Sequence, residues 1–162
     1  IGESAGGYLV AMMGTSGGVA YLEGDGPYSE YESSVQAVVD LFGPIDFAVM
    51  KDAPTGPVAK FLGKPAQEDL DLAKKANPIN YVDAKDAPTL MIHGEKDDLV
   101  PIRQSELLND ALTKAGVKTR LVSVKNAGHG FSASPQGAVI SPTLKEIEDL
   151  QVQWFKDVFG TK

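Results

Sequence analysis

IGESAGGYLVAMM, residues 1–13, decides how this chain is read. It holds a Gly-x-Ser-x-Gly pentapeptide, Gly2-Glu3-Ser4-Ala5-Gly6, with only Ile1 in front of it. An apolar run, Tyr8 to Met13, follows at once and reads as the first turns of a buried helix ending near Gly17-Gly18. Alone, the pentapeptide is short enough for chance to produce, and a flexible glycine loop is its plainest meaning. Followed by a helix, it fits another: a serine held on a sharp strand-to-helix turn, its hydroxyl clear of the sheet edge. Such a turn strains the serine backbone, and Gly2 and Gly6 are expected to remove side chains that would collide across it. The strand that should feed the turn is not read in this chain.

Downstream of the turn, strands and helices alternate. A polar Gly- and Glu-rich loop runs from Glu23 to Ser34, and VQAVVDLF, residues 35–42, reads as a strand covered on both faces. Gly43-Pro44 stops it. Residues 45–80 carry Pro54, Pro57, Pro65 and Pro78 and short helical pieces, the clearest over Gln67 to Ala76. A second buried strand, TLMIH, follows Pro88 and closes at Gly94. Leu107, Leu108, Ala111, Leu112 and Ala115 then share a helical face, with Gly116 at the C-cap. TRLVSVK, residues 119–125, is the third strand. Ser141-Pro142 read as the N-cap and first position of a last helix, with Leu144, Ile147, Leu150, Trp154 and Val158 facing inward. The alternation predicts the α/β class: a mainly parallel sheet with helices on both faces, undivided by any linker or repeat.

Composition narrows the chemistry. A net charge of −7 with scattered Lys and Arg argues against nucleic acid, which needs clustered cations. No run approaches the roughly 18 apolar residues of a membrane span. Zero cysteines exclude a disulfide and a thiolate zinc site.

A serine hydroxyl is a poor nucleophile until a base takes its proton, and the chain holds two histidines. His93 ends a buried strand, where a histidine is mostly a satisfied core residue. His129, in NAGHGF just after the third strand, sits where parallel α/β sheets place their sites. The base in turn needs a carboxylate, and HGEKDDLVP offers Glu95, Asp97 and Asp98 beyond the second strand. Such a cluster is commonly a solvated loop, and no further ligand recurs at metal spacing. The order Ser4, aspartate pair, His129 is that of the α/β-hydrolase fold.

These segments together make the chain resemble the carboxyl-terminal part of an α/β-hydrolase of the carboxylesterase, lipase and feruloyl-esterase-like group. GESAGG looks like the family's nucleophile elbow, DLFGPID like the segment after its sixth strand, and ANPINYV like the run leading into its seventh. MIHGEKDDLVPIRQSELLNDAL resembles its acid strand, loop and helix, and KNAGHGF its histidine loop. The resemblance implies Ser4 as nucleophile, His129 as base and Asp97, with Asp98 the weaker candidate, as acid. It implies Ala5 as a backbone donor to the oxyanion hole. No cofactor or metal is implied, and a small-molecule ester is the expected substrate. Residues 46–81 are expected to form a cap-like insertion in which Phe47, Met50, Phe61 and Leu62 either line a pocket or pack beneath it. In the family about half the domain precedes the elbow. Residues 1–162 are therefore expected to be the C-terminal part of one domain, open at a sheet edge to self-association or a complementary chain. A prolyl-oligopeptidase-like peptidase and a non-catalytic fragment are the alternatives.

Overall fold

The computed structural model describes residues 1–28, 30–50 and 54–160. Four parallel strands stand in the order β1 (Gly2–Glu3), β2 (Val38–Leu41), β3 (Thr89–Gly94) and β4 (Thr119–Val124). β1 corrects the expectation that no strand enters the elbow: Gly2 and Glu3 pair with Asp40 and Leu41. β2 is shorter than VQAVVDLF suggested. The Val38 N–H donates to Pro88 O at 2.9 Å, and Pro88, having no N–H, cannot carry the ladder back to residues 35–37. The faces of β2 are not open to water either, since Val38 and Val39 are buried within the chain itself.

Helices α1 (Ala5–Thr15) and α5 (Arg103–Ala115) cover one face of the sheet, where Ala11, Ile45, Met91, Leu108 and Leu112 form a core. The alternate strand residues Val39, Leu41, Leu90 and Ile92 point to the other face and pack on Ile147 and Trp154 of the last helix, Leu144–Phe159. Between α1 and β2 lies a short helix, α2 (Ala20–Glu23). Between β2 and β3 lie α3 (Pro57–Leu62) and α4 (Leu70–Lys75), which makes the last helix α6.

The helix of the elbow packs differently from its apolar reading. Leu9 and Met13 are exposed, and the sheet side of α1 is Gly7, Ala11 and Gly14. A Cβ on Gly14 would strike Val38, and one on Gly7 would strike Asp40 and Gly43. The small residues let the helix lie directly on β2. Gly6, expected to be sterically required, has nothing within 4 Å of where its Cβ would stand. Gly2 does meet the expectation, because a Cβ there would overlap Gly6 O.

Three further boundaries shift. The helix expected over Gln67 to Ala76 is a 3-10 turn, Ala66–Glu68, then α4, because Asp69 interrupts it and caps Leu72 N–H at 3.0 Å. α6 starts at Thr143, not Ser141-Pro142: Thr143 accepts from Glu146 N–H at 3.3 Å, and the Glu146 carboxylate returns to Thr143 N–H at 2.7 Å. This reciprocal pair satisfies two orphan donors, which Pro142 cannot match. Leu144, expected inward, is 55% exposed because it falls in the first turn, beyond the sheet. Phe47 and Met50 pack in a core with Tyr8, Val58 and Val100, while Phe61 is exposed and Leu62 half-buried. Residues 51–53 of the segment expected to form a cap and Ser29 of the polar loop lie outside the described residues.

Candidate active site

The carboxyl ends of β1, β3 and β4 bring three of the sequence-derived residues together. Ser4 follows β1 directly and is the N-cap of α1. Its N–H donates to Leu41 O at 2.9 Å and its carbonyl accepts Tyr8 N–H at 3.0 Å, so the backbone is fixed from both sides. With φ 51 and ψ −115 it occupies a region that side chains disfavour. An N-cap serine ordinarily turns its hydroxyl back onto the helix. Here the hydroxyl caps nothing, and Oγ lies 2.9 Å from His129 Nε2.

His129 is held by a loop built from unusual backbone. Asn126, Gly130 and Phe131 all have positive φ, and Ser132 Oγ donates to His129 O at 3.0 Å. Gly128 N–H donates to Ser132 O at 2.7 Å and closes the turn. The loop is pressed against the end of β3, where a Cβ on Gly94 would collide with Ala127 and Gly128. Lys96 N–H donates to Ala127 O at 2.8 Å and ties the acid loop to the histidine loop.

The acid loop separates its three carboxylates by burial. Glu95 and Asp98 are exposed, whereas the Asp97 side chain is fully buried. Asp97 Oδ1 accepts the N–H groups of Leu99 at 3.0 Å and Val100 at 2.8 Å, leaving Oδ2 to accept from His129 Nδ1 at 2.7 Å. Burial pushes the Asp97 carboxyl up, but the nearby His93 ring, the Val100 N–H, and the hydrogen bond and charge of His129 outweigh it and hold it below the usual range. The carboxylate is therefore ionised at neutral pH. Against that geometry, His129 carries its proton on Nδ1 and presents Nε2 as an acceptor to the serine hydroxyl. Ala5 is the first helical residue after Ser4, where backbone N–H groups have no partner inside the helix.

His93 is a different case. It is fully buried, with Nδ1 2.7 Å from Ser105 Oγ and Nε2 2.7 Å from Val100 O. Asp97 Oδ2 is further, at 3.5 Å, so the Nε2 proton belongs to the carbonyl. Sequence reasoning passed over Ser105, Asp40 and Phe42, which surround these groups. A polar residue on the inner face of α5 and a Gly following Asp40 three residues on were the available signals. Among the described residues, no cluster of three or more His, Cys, Asp or Glu could hold a metal, and no helix is long and apolar enough to cross a membrane.

Comparisons with known proteins bear on the family and the fold. The chain is 26% identical over 172 residues to Esterase LipC of Mycobacterium tuberculosis, covering 97% of the chain and 42% of that protein. Over 65 residues, 40% of the chain and 10% of the relative, it is 42% identical to the uncharacterized peptidase YuxL of Bacillus subtilis. It thus spans less than half the length of these curated relatives. A truncated carbohydrate esterase from gut microbiota superposes with a TM-score of 0.76 at 34% identity, over 94% of this chain and 57% of that one. The BD-FAE family model matches residues 1–112. The parallel sheet, the elbow at its edge and these matches place the chain in the BD-FAE family, with the α/β-hydrolase fold.

Proposed function

We propose that the protein is a serine hydrolase that cleaves carboxylic esters, with Ser4 as nucleophile, His129 as base and Asp97 as the acid orienting it. The observation carrying this reading is the continuous relay from Asp97 Oδ2 through His129 to Ser4 Oγ, with contacts of 2.7 and 2.9 Å. His129 Nε2 accepts the hydroxyl proton as Oγ attacks the ester carbonyl, and Asp97 stabilises the imidazolium that forms. The oxyanion faces the amino end of α1, where the Ala5 N–H donates to it and the helix dipole favours negative charge. Collapse breaks the bond to the alcohol, which leaves with the proton from Nε2. Water, deprotonated by His129, then attacks the acyl-Ser4 ester and releases the acid. Residues 46–81 act as a partial cap. Phe61, exposed and 5.5 Å ring to ring from Tyr8, offers the aromatic surface that an acyl or alcohol group would meet.

The likeness to a carbohydrate esterase makes acylated sugars the first esters to assay, beside aryl esters of graded acyl length. The match to YuxL favours a second reading, a peptidase using the same three residues. Incubation with an organophosphate followed by peptide mass spectrometry tests the common mechanism, and the expected adduct is on Ser4. An adduct on another serine overturns it. Parallel kinetics on aryl esters and peptide anilides separate the two substrate classes, with esters expected to turn over faster.

A further inference from the structure

The turn that follows β2 carries two costly features side by side. Phe42, 3% exposed, has φ 47, a left-handed conformation that a bulky residue adopts only where its surroundings impose it. Asp40 is fully buried, and its Oδ2 has no hydrogen-bond partner among the described residues. Burial pushes this carboxyl up to about 6, against the opposing pull of Gly43 N–H and His93. What imposes the turn is visible. Phe42 N–H donates to Ile92 O at 3.1 Å, and Gly43 N–H donates to Asp40 Oδ1 at 2.8 Å. A Cβ on Gly43 would strike Asp40, Gly7 and Tyr8, so the turn has no room for a side chain there.

The turn does something else. Its ring lies 4.9 Å from the His129 imidazole at 68° and 4.9 Å from Phe131 at 88°, both edge-to-face. One residue earlier, Leu41 O accepts the Ser4 N–H at 2.9 Å. Residues 41–43 therefore touch the serine turn through backbone and the histidine loop through an aromatic face. His129 is tethered at its Cβ and hydrogen-bonded through both ring nitrogens, and the Phe42 ring adds an edge-to-face contact with the imidazole between them.

We propose that Phe42 is a positioning residue that sets the tilt of the His129 ring toward Ser4, and that the Asp40–Gly43 hydrogen bond clamps it in place. This rests on His129 being the base of the proposed reaction. Phe42→Leu keeps apolar volume without a ring, and Phe42→Ala removes both. Turnover is counted per active site, titrated by the organophosphate burst. The expected loss in kcat is about tenfold for Phe42→Leu and about a hundredfold for Phe42→Ala, the scale of an ångström's misplacement, with KM within about twofold. The second readout needs no turnover. Nitrogen-15 spectra resolve the imidazoles of the two histidines, and Ser4→Ala is used as the background. The expected result is one fixed tautomer for His129, protonated at Nδ1, giving way to averaged signals when Phe42 is replaced. If both variants keep wild-type kcat and a single tautomer while only losing thermal stability, Phe42 is mere packing and the proposal is overturned. If Ser4→Ala still cleaves esters, the hydrolase reading fails instead, and the tautomer result judges the positioning role by itself.

Discussion

The two histidines of this molecule share a carboxylate and an aromatic ring, yet their surroundings make them opposites. Asp97 Oδ2 lies 3.5 Å from one and 2.7 Å from the other. Phe42 faces both, at 6.5 and 4.9 Å. His93, inside β3, gives both nitrogens to Ser105 and Val100, so nothing is left to react. By holding the Val100 carbonyl it fixes the residue whose N–H supports Asp97 Oδ1. His129, its side chain 26% exposed, spends one nitrogen on the carboxylate and turns the other to a hydroxyl. An imidazole becomes a candidate base when exactly one of its nitrogens is engaged by the scaffold; the difference lies in where each sits relative to a strand end.

The contrast breaks most visibly in turnover. His129→Gln should cost on the order of 10⁶ in kcat, the scale for removing a triad base, with little change in unfolding free energy. Asp97→Asn should cost about 10⁴, since the amide imposes the wrong tautomer, while exposed Asp98→Asn should stay within about tenfold. A larger loss for Asp98→Asn than for Asp97→Asn would reassign the acid.

Stability sharpens the other side. Asp40, with its carboxyl raised from 3.8 to about 6, holds its proton in the folded protein over a range where the unfolded chain has released it. Its contribution is present below about pH 4 and lost as pH rises through 6, whereas Asp97, held low, stabilises at neutral pH and loses that effect in acid. Urea denaturation at pH 4 and pH 7 should therefore show Asp40→Asn gaining about 3 kcal/mol on wild type between the two. His93→Ala should lose about 2 kcal/mol or more, because Ser105 and Val100 are left unpaired, and turnover per folded molecule should fall far less than in His129→Gln. Smallest is the pair in the elbow helix. Gly7→Ala should destabilise by about 1–3 kcal/mol through its clash with Asp40, and Gly6→Ala should be within about 1 kcal/mol of wild type by thermal melting.

Much of this was legible in the sequence, for a local reason. The acid loop and the histidine loop each follow an apolar β-branched run, the elbow leads straight into an apolar helix, and their order along the chain restricts how they meet. Ser4, Asp97 and His129 do converge. The choice of Asp97 over Asp98 came from resemblance, because two adjacent aspartates look alike until one turns inward. What the sequence concealed depends on contacts between distant segments. Gly6 looked essential and Gly7 drew no reading, but the obstacle to a side chain at Gly7 is Asp40, on another strand. The positive φ of Phe42 is imposed by Ile92 and Asp40 and leaves no mark on residue type. The start of α6 went to Ser141-Pro142 because that pair is a good generic signal, while Thr143 wins through its partner Glu146.

Where Gly7 and Gly14 bring α1 onto β2, backbone rests on strand side chains with no pliant layer of leucines between them. A core padded with rotamer-rich side chains absorbs small displacements by repacking; this seam has almost nothing to repack. Such a seam is expected to act as a stiff joint, coupling the position of β2 to that of the serine at the helix tip. Directed evolution of the protein should accordingly find its tolerant positions on the outer side of that helix, at Leu9 and Met13, and its intolerant ones along the joint.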